Sequence, residues 1–286
     1  MTETSPLLTA AAQGLSAVLG LALGVWLASL RLRDASIADR FWSIFIAIAA
    51  TVFALQGAPA LDLRLQAMLA VVLAWALRLA GFITWRNWGH GEDRRYAAMR
   101  ARHGPGFGRR SLTLVFGLQA LLAWIVATPL LVAAGAAAAG GRPFGALDSA
   151  GLALAAAGLI TEALADAQMA RFRRDPARYG KARGDVMDAG LWRYSRHPNY
   201  FGEACVWWGL GVMAVSAALT SPGPDPLAAA AALLSPLLMT GLLLKVSGVA
   251  LLEQDLTKRR PAYRDYIRRT PAFIPGPPKA WKETTS

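Results

Sequence analysis

The side chains best suited to chemistry in this 286-residue chain form a polar cluster between two apolar runs. The centre of the cluster is the run Gly190-Leu-Trp-Arg-Tyr-Ser-Arg-His-Pro-Asn-Tyr-Phe-Gly-Glu203. Charged and hydrogen-bonding groups at the end of an apolar segment are costly unless they satisfy one another or bind a ligand. The cluster therefore predicts a ligand pocket where two apolar helices meet water.

Polar residues also recur at helical spacing on both sides of this centre. Glu162, Asp166 and Arg173 are separated by four and then seven residues, which on a helix places them within about 40° of one face. Asn199 and Glu203 are four residues apart on the following helix, one turn from each other. Two aligned polar rows predict a pocket for an elongated molecule.

A basic loop connects the two rows. Its cationic side chains are Arg178, Lys181, Arg183, Arg193 and Arg196. Such a loop favours an anionic ligand, because planar guanidinium groups form several hydrogen bonds to phosphate at once. The same residues are also typical of a cytoplasmic loop next to membrane spans. That second interpretation explains the arginines but gives the aligned Glu162 and Asp166 no role.

The elements that must position these residues are long apolar runs. Hydrophobic residues make up 55% of the chain, and the mean hydropathy is +0.36. Runs near the ~20 residues needed to cross a bilayer occupy about 8–30, 41–57, 65–84, 112–136, 149–170, 199–221 and 227–251. The predicted fold is therefore all-α: a polytopic membrane protein of about seven transmembrane helices, with residues 1–286 as a single membrane domain.

The net charge of +12 is distributed according to these runs. Lysines and arginines crowd the first, third and fifth loops and the segment after the seventh run, whereas the even-numbered loops hold only Arg64 and Arg142. The positive-inside rule then places the N-terminus outside and the C-terminus in the cytoplasm. Because topology explains the basicity, we predict no nucleic-acid partner.

Cys205 is the single cysteine and the histidines lack metal-ligand spacing, so no metal is predicted.

Asp39 is the acidic residue nearest the cytoplasmic start of the second run. It can be a helix-end charge paired with Arg40, because acidic side chains stabilise the first turn of a helix. It can also face inward and act as an acid, because a desolvated carboxyl group can hold its proton near neutral pH. The sequence leaves both alternatives open.

The run from Gly190 to Glu203 resembles the signature of the steroid 5α-reductase C-terminal superfamily. That superfamily includes sterol C14-reductases and isoprenylcysteine carboxyl methyltransferases. The chain is most similar to its bacterial branch, over about residues 37–275, with 276–286 as a flexible tail. The Arg196-His-Pro-Asn-Tyr200 core is shared by the reductases and the methyltransferases. The resemblance thus implies a fold and a cofactor pocket but leaves the reaction open.

The resemblance also implies which residues bind a cofactor. Reductases of the family place an Asn, an Asp and an Arg before the signature to contact NADPH, and Glu162, Asp166 and Arg173 match that spacing with Glu replacing Asn. The family's Asn and Glu near the nicotinamide correspond to Asn199 and Glu203. The implied cofactor-binding set is Glu162, Asp166, Arg173, Arg193, Arg196, His197, Asn199, Tyr200, Glu203, Tyr263 and Tyr266.

Two positions depart from the steroid-reducing members. They use a tyrosine on the third span and a glutamate on the second to polarise the 3-keto group, whereas this chain has Trp75 and Asp39. These departures disfavour a steroid and leave another conjugated lipid carbonyl as the substrate. The resemblance as a whole implies an NADPH-dependent reductase of a conjugated C=C bond in a lipophilic, steroid- or enone-like substrate. Asp39 and Glu203 are the predicted catalytic residues.

Two other functions stay open on the sequence. One is an S-adenosylmethionine-dependent methyltransferase in the same pocket, and the other is a non-catalytic membrane protein. For an enzyme, the predicted location is a bacterial inner membrane with the cofactor site facing the cytoplasm. The predicted partners are then a lipophilic small molecule and membrane lipid.

Overall fold

The computed structural model describes residues 6–175, 186–246, 253 and 262–279, and this part of the chain is helical without β-strands. Its α-helices are α1 (Pro6–Leu32), α2 (Ile37–Gly57), α3 (Leu63–Arg86), α4 (Arg94–His103), α5 (Phe107–Ser111), α6 (Leu118–Val126), α7 (Thr128–Ala138), α8 (Ala146–Arg174), α9 (Pro198–Thr220), α10 (Pro226–Gly241) and α11 (Ala262–Arg269). Short 3₁₀ turns occur at Gly104–Gly106 and Gly190–Arg193, and π-helical turns at Leu112–Gly117 and Leu242–Val246.

Within the described residues, seven helical stretches are long and apolar enough to cross a membrane. They are Pro6–Leu32, Ile37–Gly57, Leu63–Arg86, Arg94–Ala138, Ala146–Arg174, Pro198–Thr220 and Pro226–Lys245. This confirms the predicted all-α polytopic fold. The fourth stretch is composite, because α4 to α7 follow one another through 3₁₀ and π turns. Residues 247–251 of the seventh predicted run lie outside the described residues.

The chain folds as two compact units. Unit 1 comprises Met1–Leu152 and Leu210–Ser235, and unit 2 comprises Ala153–Gly209 and Pro236–Ser286. The division falls inside α8, α9 and α10, so each of these helices contributes residues to both units. The single membrane domain expected from the sequence stays a prediction.

In unit 1, α2 is the central helix. It packs against α1, α3, α6 and α7, and 56% of its apolar stretch is buried, compared with 22% for α1 and for α3. Its side chains Phe45 and Phe53 are fully buried. At Gly14, α1 approaches so closely that a Cβ atom would lie 2.5 Å from the Phe53 ring. The outer helices keep exposed apolar faces, as is typical of membrane spans.

A buried ion pair joins the start of α3 to the start of α8 within unit 1. Arg64 Nε donates to Asp148 Oδ1 at 2.7 Å, and Nη2 donates to Oδ2 at 3.0 Å. Both side chains are only 1% exposed. The backbone N–H of Gly145 also donates to Asp148 Oδ2, at 2.8 Å. Because a buried charge without its partner is strongly unfavourable, this pair holds the two helix ends together.

In unit 2, α8 and α9 pack through glycine. A Cβ atom at Gly202 would lie 2.6 Å from both the Gly158 carbonyl oxygen and the Glu162 nitrogen. These are backbone atoms, which cannot move aside as a flexible side chain would, so this contact requires a residue without a side chain. The close approach brings the polar row of α8 beside that of α9.

The segment around α11 packs on the loop that precedes α9, also within unit 2. Three hydrogen bonds run from Arg196 N to Pro271 O (2.9 Å), from Ser195 Oγ to Phe273 O (2.8 Å) and from Gly276 N to Tyr194 O (2.9 Å). Gly276 is the first residue of the predicted flexible tail. Residues 280–286 of that tail lie outside the described part of the chain.

Candidate functional site

The loop that carries the signature, residues 190–198, is fastened to α8. Gly190 has a positive φ of 60°, and a Cβ atom there would lie 2.6 Å from Gln168 Oε1. That oxygen accepts a hydrogen bond from Leu191 N at 3.0 Å, and the Trp192 indole donates to the Ala165 carbonyl at 3.0 Å. Glycine suits this position, because it adopts positive φ readily and leaves room for the amide. Gln168 was not predicted as a site residue, although it stands two residues after Asp166.

Arg196 and His197 both contact Glu253. Arg196 Nε and Nη2 donate to the two carboxylate oxygens at 2.7 and 3.0 Å. His197 Nε2 lies 3.1 Å from Glu253 Oε1. Partial burial alone would raise the pKa of Glu253, but hydrogen bonds from His197 and Arg196 and the charge of Arg196 outweigh it, so the pKa lies below its ordinary value.

The remaining Arg196 nitrogen is also engaged, because Nη1 donates to the carbonyl oxygens of Ile267, at 3.1 Å, and Thr270. Arg196 is 7% exposed. In this arrangement its guanidinium ties α11 and Glu253 to the signature, and a phosphate would have to replace one of these partners. The predicted phosphate contact of Arg196 stays a prediction. Glu253 was not predicted as a site residue, because its only signal in the sequence is its position just beyond the last apolar run.

Tyr263 and Tyr266 are buried and stand edge to face, with ring centroids 5.5 Å apart. The Tyr266 hydroxyl donates to the carbonyl oxygens of Trp192 and Ser195. Burial raises the pKa of both tyrosines, and the negative charge of Glu253 raises that of Tyr263 further. Both phenols are therefore neutral at physiological pH. They support the signature loop, and their predicted closure over a cofactor is untested.

Buried acceptors gather where α8 and α9 meet. Glu162, Asp166 and Glu203 are 2%, 6% and 6% exposed. Asn199 Nδ2 donates to Asp166 Oδ1 at 3.1 Å, so the two polar rows touch. Asn199 Oδ1 is buried and has no hydrogen-bond partner within the described residues. We call these four residues the acceptor cluster, because their side chains offer mainly oxygen acceptors to a ligand.

The other predicted cofactor residues differ in exposure. Arg173, at the end of α8, and Arg193, in the signature loop, are exposed cations. Tyr200 is half-buried and stacks on the His197 ring, with centroids 5.5 Å apart and planes within 5°. The predicted loop residues Arg178, Lys181 and Arg183 lie outside the described residues.

Asp39, in unit 1, is the centre of a second polar group. The Tyr96 hydroxyl donates to Asp39 Oδ1 at 2.5 Å, and Arg95 Nη2 donates to Oδ2 at 2.7 Å. Gln119 Nε2 lies 3.3 Å from the Tyr96 oxygen and 3.4 Å from Asp39 Oδ1. Gln119 Oε1 is buried without a hydrogen-bond partner in the described part of the chain. We call Asp39, Arg95, Tyr96 and Gln119 the Asp39 cluster.

Asp39 is paired with a different arginine from its neighbour in the sequence. Its ion pair is with Arg95, whereas Arg40 is 3.9 Å from Asp34. Because Arg95 and Tyr96 both donate to it, Asp39 is the hydrogen-bond acceptor of this cluster, and the Tyr96 hydroxyl is a donor. Trp75, at the position compared with the reductase tyrosine, is fully buried on α3. Tyr96 was missed because it stands in an interfacial segment and not on the third span.

The segment before α4 supports this cluster. Asp93 caps α4 by accepting from Arg95 N at 2.9 Å. Glu92 accepts from Ala35 N at 2.8 Å and from Arg100 Nε at 2.9 Å. The hydrogen bonds from Arg100 hold the pKa of Glu92 below its ordinary value. These contacts join the first loop to α4 and so fix the helix that carries Tyr96.

A family model described as a protein of unknown function, DUF1295, matches residues 25–270 of the chain. The matched stretch contains the acceptor cluster, the signature loop and the Asp39 cluster. No curated protein and no solved structure matches the chain.

Proposed function

Since this chain belongs to the DUF1295 family, a steroid 5α-reductase-like membrane family, we propose that it is an integral membrane reductase. It uses NADPH to saturate a conjugated C=C bond of a lipophilic, enone-like substrate. The observation that carries this proposal is the acceptor cluster, in which buried oxygen acceptors stand at the positions that the resemblance assigns to NADPH.

The donor groups of NADPH fit this cluster. Its nicotinamide carboxamide and ribose hydroxyls donate hydrogen bonds, and Asn199 Oδ1 is a buried acceptor without a partner among the described residues. Asp166 is an acceptor for a ribose hydroxyl or the adenine amine. Arg173 and Arg193 are exposed cations that suit phosphates. When bound, NADPH supplies the hydride that the β-carbon of an enone accepts.

The reaction also consumes a proton and needs a hydrogen-bond donor at the carbonyl oxygen, where negative charge develops. Tyr96 is the donor that we assign, and Asp39 is the residue that holds its hydroxyl in place. Asp39 and Tyr96 would then form a carboxylate–tyrosine pair, although this chain lacks the third-span tyrosine of the steroid-reducing members. In this proposal Asp39 is needed for the reaction because it positions the Tyr96 hydroxyl, and it is not itself the acid.

One observation favours the second candidate function, methyl transfer from S-adenosylmethionine. Glu162 stands where the family's reductases have a neutral Asn, so the acceptor cluster holds three buried carboxylates. Buried carboxylates attract a cation. S-adenosylmethionine carries a sulfonium and an ammonium group, whereas NADPH is an anion. The charge of Glu162 would therefore favour binding of S-adenosylmethionine and disfavour binding of NADPH.

Calorimetric titration of the purified protein with NADPH, NADH and S-adenosylmethionine tests the cofactor. Arg173→Ala should weaken NADPH binding by about tenfold to a hundredfold, because it removes a charge-assisted contact worth ~1.5–3 kcal/mol. Asp166→Ala should also weaken NADPH binding, because it removes an acceptor. Arg110→Ala, which removes an exposed cation from unit 1, is the matched control and should bind normally. Tight S-adenosylmethionine binding together with undetectable NADPH binding would contradict the reductase proposal.

The orientation in the membrane is proposed from charge. Basic residues crowd the segment around Arg94 and the segment from Lys258 to Arg269, so both should lie in the cytoplasm. Reporter fusions inserted near Arg94 and after Pro275 should each give a cytoplasmic signal in a bacterial inner membrane. A periplasmic signal from either position would contradict the proposed seven-span orientation.

A further inference from the structure

An apolar groove lies between α2 and α3 in unit 1. Its volume is about 760 Å³, inside the range of roughly 300–1,000 Å³ typical of small-molecule sites. Phe41 and Ile44 line it from α2, and Leu77, Gly81 and Trp85 line it from α3. Leu77 is 68% exposed and Trp85 50% exposed. Since both helices are candidate membrane spans, this wall faces a medium that accepts apolar surface.

One end of the groove is not apolar. Arg40 lines it at the start of α2, together with Trp85 in the last turn of α3 and Trp88 just beyond that helix. Arg40 forms an ion pair with Asp34, but the carboxylate lies 3.9 Å away, too far for a hydrogen bond. Arg40 Nε is buried and has no hydrogen-bond partner within the described residues. A guanidinium with an unused buried donor suits a ligand with anionic oxygens.

The tryptophans indicate the depth of this end. Trp85 and Trp88 are exposed at the end of a candidate span, as is typical of the aromatic belt at the level of lipid head groups. Basic groups between transmembrane helices at this level suit anionic lipid head groups. The order along the groove is therefore a charged end at the interface and an apolar channel below it.

From this arrangement we propose that the groove binds a membrane phospholipid with an anionic head group. One acyl chain lies along Phe41, Ile44 and Leu77, and the phosphate accepts hydrogen bonds from Arg40. The neighbouring acids are already engaged or turned to other partners: Asp39 is paired with Arg95, and Asp34 accepts from the Ser36 hydroxyl. This lipid site is independent of the proposed reductase function, because it uses none of the cofactor or donor residues.

Lipid binding to the detergent-purified full chain tests the proposal. Phosphatidylglycerol should bind about tenfold more tightly than phosphatidylcholine of the same acyl chains, because the choline cation of phosphatidylcholine offsets the charge of its phosphate and repels Arg40. Arg40→Gln should abolish this difference, and Arg40→Lys should retain part of it. Gly81→Leu should weaken binding of both lipids by filling the groove, because no atom lies within 4 Å of a Cβ there.

Gly24→Leu on α1 is the matched control, since a Cβ at that glycine also meets no atom within 4 Å. This variant should bind both lipids as the wild type does. Equal wild-type affinity for the two lipids, or an undiminished preference in Arg40→Gln, would overturn the proposal. Equal stabilisation by glycerol phosphate alone would also overturn it, since that result indicates a free phosphate site. NADPH titration of the same variants tests the reductase proposal separately, so a failure of the lipid site can be distinguished from a failure of cofactor binding.

Discussion

Replacing Tyr96 with phenylalanine should lower enone-dependent NADPH oxidation by about 10²–10⁴-fold, the usual contribution of a positioned general acid. The change removes the hydroxyl that donates to Asp39 at 2.5 Å and keeps a buried ring of nearly the same shape. NADPH affinity, measured by calorimetry, should stay close to the wild-type value. The assay uses a set of lipophilic enones that includes a steroid 4-en-3-one and long-chain alkenones.

Two companion variants make this result specific. Asp39→Asn should also abolish turnover with nearly unchanged NADPH affinity, because an amide holds the Tyr96 hydroxyl less well than a carboxylate. Tyr194→Phe removes a hydroxyl from a tyrosine that is 47% exposed, so it should keep full turnover. Wild-type rates in both Tyr96→Phe and Asp39→Asn would return Asp39 to the role of a helix-end charge paired with Arg95.

Arg64→Met should destabilise the protein by about 3–5 kcal/mol, because it leaves Asp148 buried without its charged partner. Both members of the pair are 1% exposed, so water cannot replace the guanidinium without rearrangement. The free energy of unfolding, measured by titrating the detergent-solubilised protein with SDS, is the readout. Arg142→Met removes an exposed arginine from a loop and should change stability by less than about 1 kcal/mol.

The double variant Arg64→Met with Asp148→Leu separates charge from packing. Replacing a buried ion pair by apolar side chains of similar volume is often neutral or stabilising. The double variant should therefore recover most of the stability lost in Arg64→Met. If it is as unstable as the single variant, the loss comes from the shape of the packed site and not from an isolated buried charge.

The membrane-spanning helices could be predicted because each one depends on the hydropathy of its own stretch of sequence. A run of about twenty apolar residues satisfies its own backbone hydrogen bonds only as a helix, so hydropathy alone located the seven stretches. The contact between Asp166 and Asn199 follows from the same local periodicity, because each residue lies on the polar row of its own helix. Gly202 then lets those two rows approach each other closely.

The partners of these residues could not be predicted, because they are set by distant parts of the chain. Glu253 contacts His197 from 56 residues away, and Tyr96 contacts Asp39 from 57 residues away. Neither pair has a helical spacing or a fixed motif. The charge pattern explained Arg196 as a loop cation, whereas the structure uses it as a buried tie between three segments. Such ties depend on tertiary packing, which local periodicity does not specify.

The hydrogen bonds between the signature loop and the segment around α11 bear on when the protein can become active during its synthesis. Ser195 is held by Phe273, which is added to the growing chain 78 residues later. A nascent chain whose first six spans are already inserted therefore still lacks the groups that fix its signature loop. The signature loop should therefore become fixed only after translation has passed α11, so a ribosome stalled before that point would hold an inserted molecule whose proposed ligand pocket is incomplete.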